Sequence, residues 1–485
     1  MAVLSGIEPA AVFGYFEEIC GIPHGSGNTK QISDYCVRFA KEHGLRYIQD
    51  STNNVIIFKD GSAGYEQSEP VIIQGHLDMV CEKTDDCRID FEKDGLSLRV
   101  DNGIISAKGT TLGGDDGIAV AYALAILAAD DIVHPPLEVV LTVDEETGMF
   151  GAADLDPTPL KARTMLNLDS EEEGVLLVSC AGGIRANCHL PIRSEKVDGI
   201  AATLKICGLA GGHSGVEINK GRANAACLLG RILYELGKAA PYALVSVSGG
   251  LKDNAIPREA SAKLVVSEGD VSAVNSVIEK YRNICANEYR ISDPELDMTI
   301  SYSEEGQYQV MDDSSKERVI TALYNLPCGV QRMSADIQGL VQTSLNMGVL
   351  QTLEGEVKIS FAIRSSVGTE KEEVVSRLTN LVEMLGGTVE CSGDYPAWEY
   401  RRDSKLRDLM VRVYEEQYGH KPEVQAIHAG LECGLFAGKL PGLDCVSFGP
   451  DMKDIHTTEE RMDIASVQRT WNYLLEILGR LCLNI

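Results

Sequence analysis

Four apolar runs in this chain each end in residues able to hold a cation or move a proton. Val71-Ile72-Ile73-Gln74-Gly75 leads into His76-Leu77-Asp78, and Leu137 to Val143 leads into Asp144-Glu145-Glu146. Met165-Leu166-Asn167-Leu168 leads into Asp169, and Cys445 to Pro450 is followed within a few residues by His456. Asp115 follows Thr111-Leu112-Gly113-Gly114, where glycine lets the backbone turn tightly before a helix. Histidines and carboxylates without cysteine suit borderline divalent ions such as zinc or manganese, and a carboxylate can bridge two of them. Asp115, Glu146 and Asp169 would offset three of the four charges of two zinc ions, leaving a hydroxide to complete neutrality, and His76 and His456 would add one neutral ligand to each. Asp78, two residues beyond His76, falls on the same side of an extended segment and would orient the imidazole. Glu145, beside a ligand but itself free, would accept a proton from the activated water. Each group alone has an ordinary alternative. A lone histidine or acid after a strand is usually a solvated loop residue, Asp115 and Asp116 would also serve as caps for a helix starting near Gly117, and Glu145-Glu146 and Glu171 to Glu173 read as charged turns.

The elements that must carry these groups are legible from apolar spacing. Helical spacing covers Glu8–Cys20, Lys30–His43 and the Ala- and Leu-rich Gly117–Ala129; Asn54–Phe58, Val71–Gln74, Leu137–Val143 and Met165–Leu168 read as strands. Continuous apolar strands separated by helices predict a parallel or mixed sheet covered on both faces, with its ligand crevice at the carboxyl ends of the strands. From about Ala186 to about Cys391 the pattern becomes a more regular alternation. Strands are expected at Ala202–Cys207, Leu264–Val266, Met298–Tyr302 and Val357–Ile363, and amphipathic helices at Arg222–Gly237, Val271–Ala286, Ser315–Tyr324 and Lys371–Leu385. The tail returns to a helix from Ser404, a strand at Leu443–Phe448 and a closing helix at Ala465–Leu481. The expected fold is therefore α/β: one discontinuous domain with a central mixed sheet flanked by helices (1–185 and 392–485), interrupted by an inserted α+β segment (186–391).

Composition narrows the function. At 485 residues the chain is long enough for two or three domains. Its 44 Lys+Arg against 72 Asp+Glu give a formal net charge of −28, which repels a phosphate backbone and an anionic membrane surface, so neither nucleic acid nor membrane is an expected partner. The longest apolar stretch, Ile118 to Ala129, is shorter than the ~18–20 residues that span a bilayer. The start lacks a basic region followed by an apolar one, and 14 scattered cysteines without a C-x-x-C pair suit reduced thiols, so a cytoplasmic location is expected. There is no G-x-S-x-G elbow, Walker loop or complete G-x-G-x-x-G, which leaves other enzyme classes little support.

Taken in order, Gly75-His76-Leu77-Asp78-Met79-Val80, Leu112-Gly113-Gly114-Asp115-Asp116-Gly117, Asp144-Glu145-Glu146-Thr147-Gly148, Asn167-Leu168-Asp169-Ser170 and Ile455-His456-Thr457 resemble the successive motifs of the co-catalytic dizinc peptidases. Over essentially its whole length the chain most resembles the aminoacyl-histidine dipeptidases of that superfamily, also called peptidase D or cytosolic non-specific dipeptidases. The resemblance implies two zinc ions, with cobalt or manganese as substitutes. One would be held by His76, Asp115 and Asp169 and the other by Asp115, Glu146 and His456, with Asp78 orienting His76, Glu145 as general base, and a cis peptide after Asp115. In Gly211-Gly212-His213-Ser214-Gly215 it implies an oxyanion donor at His213, and in Asn254-Ala255-Ile256-Pro257-Arg258 a substrate-holding Asn254. Arg364 would pair with the free α-carboxylate, and Gly430 would offer backbone contacts in the same pocket; a turn residue and a surface charge are the plain alternatives for His213 and Arg364. The implied reaction is hydrolysis of dipeptides with a free C-terminal carboxylate, Xaa-His among them. An N-acyl amino acid deacylase and a non-catalytic metal-binding protein are the competing expectations. His428 and Glu432 would line a specificity pocket or serve as cap or core residues. The insertion is about twice the size of the dimerisation module in smaller relatives. It is thus either a doubled module that closes within one chain or a lid that reaches a partner subunit in a homodimer.

Overall fold

The computed structural model describes residues 2–483. In it the chain divides into two units: the first takes the residues up to Cys180, Tyr400–Ala426 and those from Leu431 onward, and the second takes Ala181–Glu399 and Ile427–Gly430.

The apolar strands of the first unit lie in one eight-stranded mixed sheet, in the order Arg46–Gln49, Val55–Lys59, Leu137–Thr142, Val71–His76, Thr164–Asn167, Asp444–Ser447, Val175–Cys180, Glu423–Ile427. The middle strands Leu137–Thr142, Val71–His76, Thr164–Asn167 and Asp444–Ser447 run parallel to one another, while their outer neighbours Val55–Lys59 and Val175–Cys180 are antiparallel to them. These four are buried along their whole length apart from Thr164, which explains why they read as predominantly apolar runs. Their common direction brings the segments after residues 76, 142 and 167 to one edge. The helix Gly114–Ala128 is buried on every side from Gly114 to Leu127 and packs against Ala10–Cys20 and the strand Val71–His76. Gly75 makes that approach possible, because a Cβ there would stand 2.6 Å from Asp116 Oδ2 and 2.7 Å from Ala119 Cβ. The outer helices are amphipathic. Lys30–Glu42 buries Ile32, Tyr35, Cys36, Phe39 and Ala40 at three- and four-residue spacing, and each fully buried large apolar side chain of this kind contributes about 1.5–3 kcal/mol. The closing helix Ile464–Leu481 is capped by Asp463, whose carboxylate accepts the Ser466 N–H at 2.8 Å.

A smaller four-stranded sheet escaped the apolar reading. It pairs Met452–Lys453 with Arg461–Asp463, and the latter with the hairpin Ile104–Ala107 and Leu98–Asp101. Its strands are two to four residues long, too short for a periodicity, and the signal available was the turn at Asn102-Gly103, both at positive φ.

The second unit is an antiparallel sheet in the order Asp297–Met311, Ser194–Cys207, Ala260–Val266, Ala243–Gly249, Val341–Leu353, Glu356–Ser365, Gly182–Pro191, Thr388–Tyr395, with Gly329–Met333 added beside Val341–Leu353. Helices Ala225–Ala239, Val271–Glu288, Asp313–Asn325 and Gly368–Met384 share one apolar core with it, including Leu204, Leu229, Ile232, Leu264, Leu345, Phe361 and Leu378. Several strands run longer than the apolar pattern suggested. Asp297–Met311 extends well past Tyr302 because its exposed, polar second half continues to pair in register with Ser194–Ile200. Asn224 caps the helix Ala225–Ala239 by accepting from the Ala226 and Cys227 N–H groups, and its amide donates to the Met347 carbonyl at 2.9 Å.

Candidate metal centre

His76 ends its strand and is 1% exposed. Its Nδ1 donates to the Asp78 backbone carbonyl at 2.9 Å, so Nε2 is the nitrogen left for a ligand role, and it lies 3.1 Å from Asp115 Oδ1 and 3.7 Å from Asp169 Oδ1. The Asp78 carboxylate, also buried, stands 3.4 Å from Nδ1. Its closer partners are the Ser26 hydroxyl at 2.7 Å and the backbone N–H of Glu145 at 3.1 Å. Asp78 therefore fastens the acidic loop after Thr142 to the histidine strand, besides orienting the imidazole through its main chain.

Asp115 has one oxygen toward each histidine: Oδ1 toward His76, and Oδ2 3.0 Å from His456 Nε2. His456 Nε2 is also 2.8 Å from Glu146 Oε1. Asp115 and Asp116 do not cap the helix. Both have non-helical backbone angles, the peptide between them is cis, and their carboxylates face inward. Asp116 Oδ2 accepts the His76 backbone N–H at 3.1 Å, while its Oδ1 is buried without a partner. Asp144 and His456, at φ 55° and 61°, occupy the left-handed region that non-glycine residues rarely adopt, as functional loops often do.

Donor atoms of His76, Asp116 and Asp169 lie within 4.8 Å of one another, as do those of Asp115, Glu146 and His456, and those of His76, Glu145 and Glu146. Among the described residues, no lysine or arginine is paired with Asp115, Asp116, Glu145, Glu146 or Asp169. Five crowded carboxylates compensated only by two imidazoles have the chemistry of a divalent-cation site, and the unpartnered Asp116 oxygen points the same way.

The titration behaviour follows from this crowding. Burial works against a charged His76, but Asp115, Asp78 and Asp169 hold it well above the usual histidine value. His456 is pushed up to about 10 by its hydrogen bonds to Asp115 and Glu146. Burial raises Asp169 well above the carboxylate range, with Asp116 adding to it. Burial also takes Glu145 up to about 8, opposed by His76 and assisted by Glu432, Glu146 and Asp115. Asp115 moves the other way, since the two histidines outweigh its burial.

The second unit gathers its own polar cluster. His213 and Ala255 pair in a two-stranded ladder that sets Asn254 beside His213, and the Asn254 carbonyl accepts the Ser214 N–H at 2.9 Å. His213 Nδ1 accepts from the N–H groups of Gly215 and Val216 at 3.2 and 3.3 Å. Burial and Arg364 lower its pKa, so His213 is a neutral imidazole with its proton on Nε2, ready to donate. A Cβ on Gly215 would stand 2.5 Å from the His428 carbonyl oxygen, 2.9 Å from His213 Cε1 and 3.2 Å from Arg364 Nε, so these three groups converge on that glycine. Arg364 Nη1 donates to the Tyr395 hydroxyl at 3.1 Å, whereas Arg364 Nε, His428 Nδ1 and Ser214 Oγ are buried without partners. His428 is bonded through Nε2 to Ser344 Oγ at 2.7 Å, and burial followed by Arg364 and His213 drives its pKa down to about 3. Gly430 follows His428 by two residues in this unit.

Sequence reasoning passed over Glu460, read Asp116 only as a helix cap, and left Glu432 between a pocket, a cap and a core role. Glu432 is wholly buried, accepting from Gln74 at 2.6 Å and Thr142 at 2.7 Å, and is a core acid beneath the first unit's site. Apolar periodicity is blind to such groups, because a buried acid and a solvated one look alike in sequence.

Against known proteins, residues 72–480 match the model of peptidase family M20/M25/M40. The cytosol non-specific dipeptidase of Escherichia coli (strain K12) is 39% identical over 480 residues, covering 99% of each chain. The crystal structure of aminoacylhistidine dipeptidase from Vibrio alginolyticus superposes with a TM-score of 0.93 at 38% identity, covering 98% of each. The aminopeptidase PepT structure from Bacillus cereus ATCC 10987, at 15% identity and a TM-score of 0.56 over 98% of this chain, shares the fold. The chain belongs to peptidase family M20/M25/M40. It is a metallopeptidase that works with bound metal ions. No helix among the described residues is long and apolar enough to cross a membrane.

Proposed function

We propose that this protein is a cytoplasmic dipeptidase using two zinc ions, one held by His76, Asp115 and Asp169 and the other by Asp115, Glu146 and His456. The observation that carries the reading is the buried Asp115 carboxylate, with one oxygen 3.1 Å from His76 and the other 3.0 Å from His456. Support for the substrate class comes from the full-length likeness to two dipeptidases. When bound, such a metal pair supplies an acidified water and Lewis-acid polarisation of a peptide carbonyl. Glu145 takes the proton of the attacking water on its carboxylate and delivers it to the leaving amine nitrogen. Asp78 keeps His76 in the tautomer that leaves Nε2 free. His213 donates its Nε2 proton to the developing oxyanion, a contact worth roughly 3–4 kcal/mol. Asn254 holds the substrate near the scissile bond, Arg364 receives the α-carboxylate in a forked contact, and Gly430 adds backbone contacts. Reading that carboxylate restricts the leaving side to a single residue, which is why dipeptides, Xaa-His among them, are the assigned substrates.

The test is a panel of free dipeptides, their N-acetylated forms and their C-terminal amides, assayed on zinc-loaded and chelator-stripped protein. Turnover of free dipeptides only, lost on stripping and restored by zinc, is expected. Turnover of the acylated compounds alone would make the protein a deacylase, and full activity after stripping would remove the metal from the reaction.

A further inference from the structure

Glu460 closes the loop between the short strands Met452–Lys453 and Arg461–Asp463, four residues after His456. Its side chain is buried, at 3% exposure, and has no lysine or arginine partner among the described residues. Instead it accepts three consecutive backbone N–H groups: Leu112 at 2.7 Å and Gly113 at 3.1 Å on Oε2, and Gly114 at 2.8 Å on Oε1. Those N–H groups have no helical partner, because they precede and open the helix Gly114–Ala128. A buried carboxylate is costly without such compensation, and three charge-assisted bonds supply it. The next residue is Asp115. The backbone that carries it is thus clasped by the same loop that carries His456, so two donor segments far apart in sequence share one frame.

This inference rests on the reading of Asp115, His76 and His456 as metal ligands. We propose that Glu460 is a positioning residue for the metal pair: by clasping the 112–114 backbone, its carboxylate holds Asp115 with one oxygen on the His76 side and the other on the His456 side. Gly114 is the complementary half of the device. A Cβ there would stand 3.0 Å from Met452 Sδ and 3.3 Å from Glu460 Oε1, crowding the carboxylate where it clasps the backbone.

Zinc affinity of the full-length protein, measured by competition with a chromophoric chelator, tests this in Glu460→Gln and Gly114→Ala, with the neighbouring exposed acid changed in Glu459→Gln as control. Melting temperature of the zinc-stripped forms is recorded in parallel. Loss of tenfold to hundredfold in zinc affinity is expected for E460Q and G114A, at wild-type stoichiometry under saturating zinc, with E459Q unchanged. A lower melting temperature of stripped E460Q with wild-type zinc affinity would mean a merely structural role and overturn the proposal. Should E460Q fail to fold, G114A decides, and wild-type affinity there overturns it. Wild-type protein that binds no zinc would instead sink the metal-centre reading itself.

Discussion

Loading the metal-free protein with a divalent cation should expel protons, in a number the site geometry sets. His76 and Asp169 sit well above their ordinary pKa values, and His456 at about 10. At pH 7 His456 therefore carries a proton in the stripped chain, and the upward shifts of His76 and Asp169 favour their protonated forms, whereas an imidazole nitrogen or carboxylate must be free of its proton to hold a cation. His76 and Asp169, 3.7 Å apart, titrate as a pair. Together with His456 they give a net release of at least about one proton per chain on filling both positions. The sign follows from linkage. Raising the pH removes protons that compete with the metal, so apparent affinity for the ion pair should rise at least about tenfold per pH unit near neutrality. Isothermal titration with zinc in buffers of different ionisation enthalpy reads the number directly as the slope of observed heat against buffer heat. A slope of zero, or net uptake of protons, would refute the assignment of these three side chains as ligands.

Replacing Glu145 by Gln should leave zinc content near the wild-type level by mass spectrometry while lowering kcat about a hundredfold to ten-thousandfold; retained turnover would dismiss it as the base. Arg364→Ala should lower kcat/KM for a free dipeptide about tenfold to a hundredfold, mostly through KM, and erase the preference over the dipeptide amide. Stripped of metal, the protein should melt at progressively lower temperature as pH rises from 5 to 8. Glu145 and Glu432, at about 8 and about 7 in the folded chain against 4.5 unfolded, keep protons that unfolding releases, so their contribution is full below pH 4.5 and lost through those folded values. A scanning-calorimetry profile that is flat or rises over that window would contradict the sign.

The first unit's strands could be read because they are buried on both faces: no residue of Val71–His76 or Leu137–Thr142 is exposed, so apolar side chains dominate both runs despite Gln74 and Glu138. Polar alternation and exposed ends hid the second unit's long strands, such as Asp297–Met311. The short sheet that holds the His456 loop was invisible for want of length.

Residue type, order and placement after apolar strands thus determined the kind of chemistry, since histidines and carboxylates can only serve a limited set of ions and proton transfers. Convergence is a property of the fold. Only the parallel pairing of Leu137–Thr142, Val71–His76 and Thr164–Asn167 brings residues 76, 145 and 169 to one edge. Only burial separates Glu460, clasping three N–H groups, from the exposed Glu459 beside it. A sequence records which donors exist, but hydrogen bonding and desolvation depend on distances between segments hundreds of residues apart, and packing alone sets those distances.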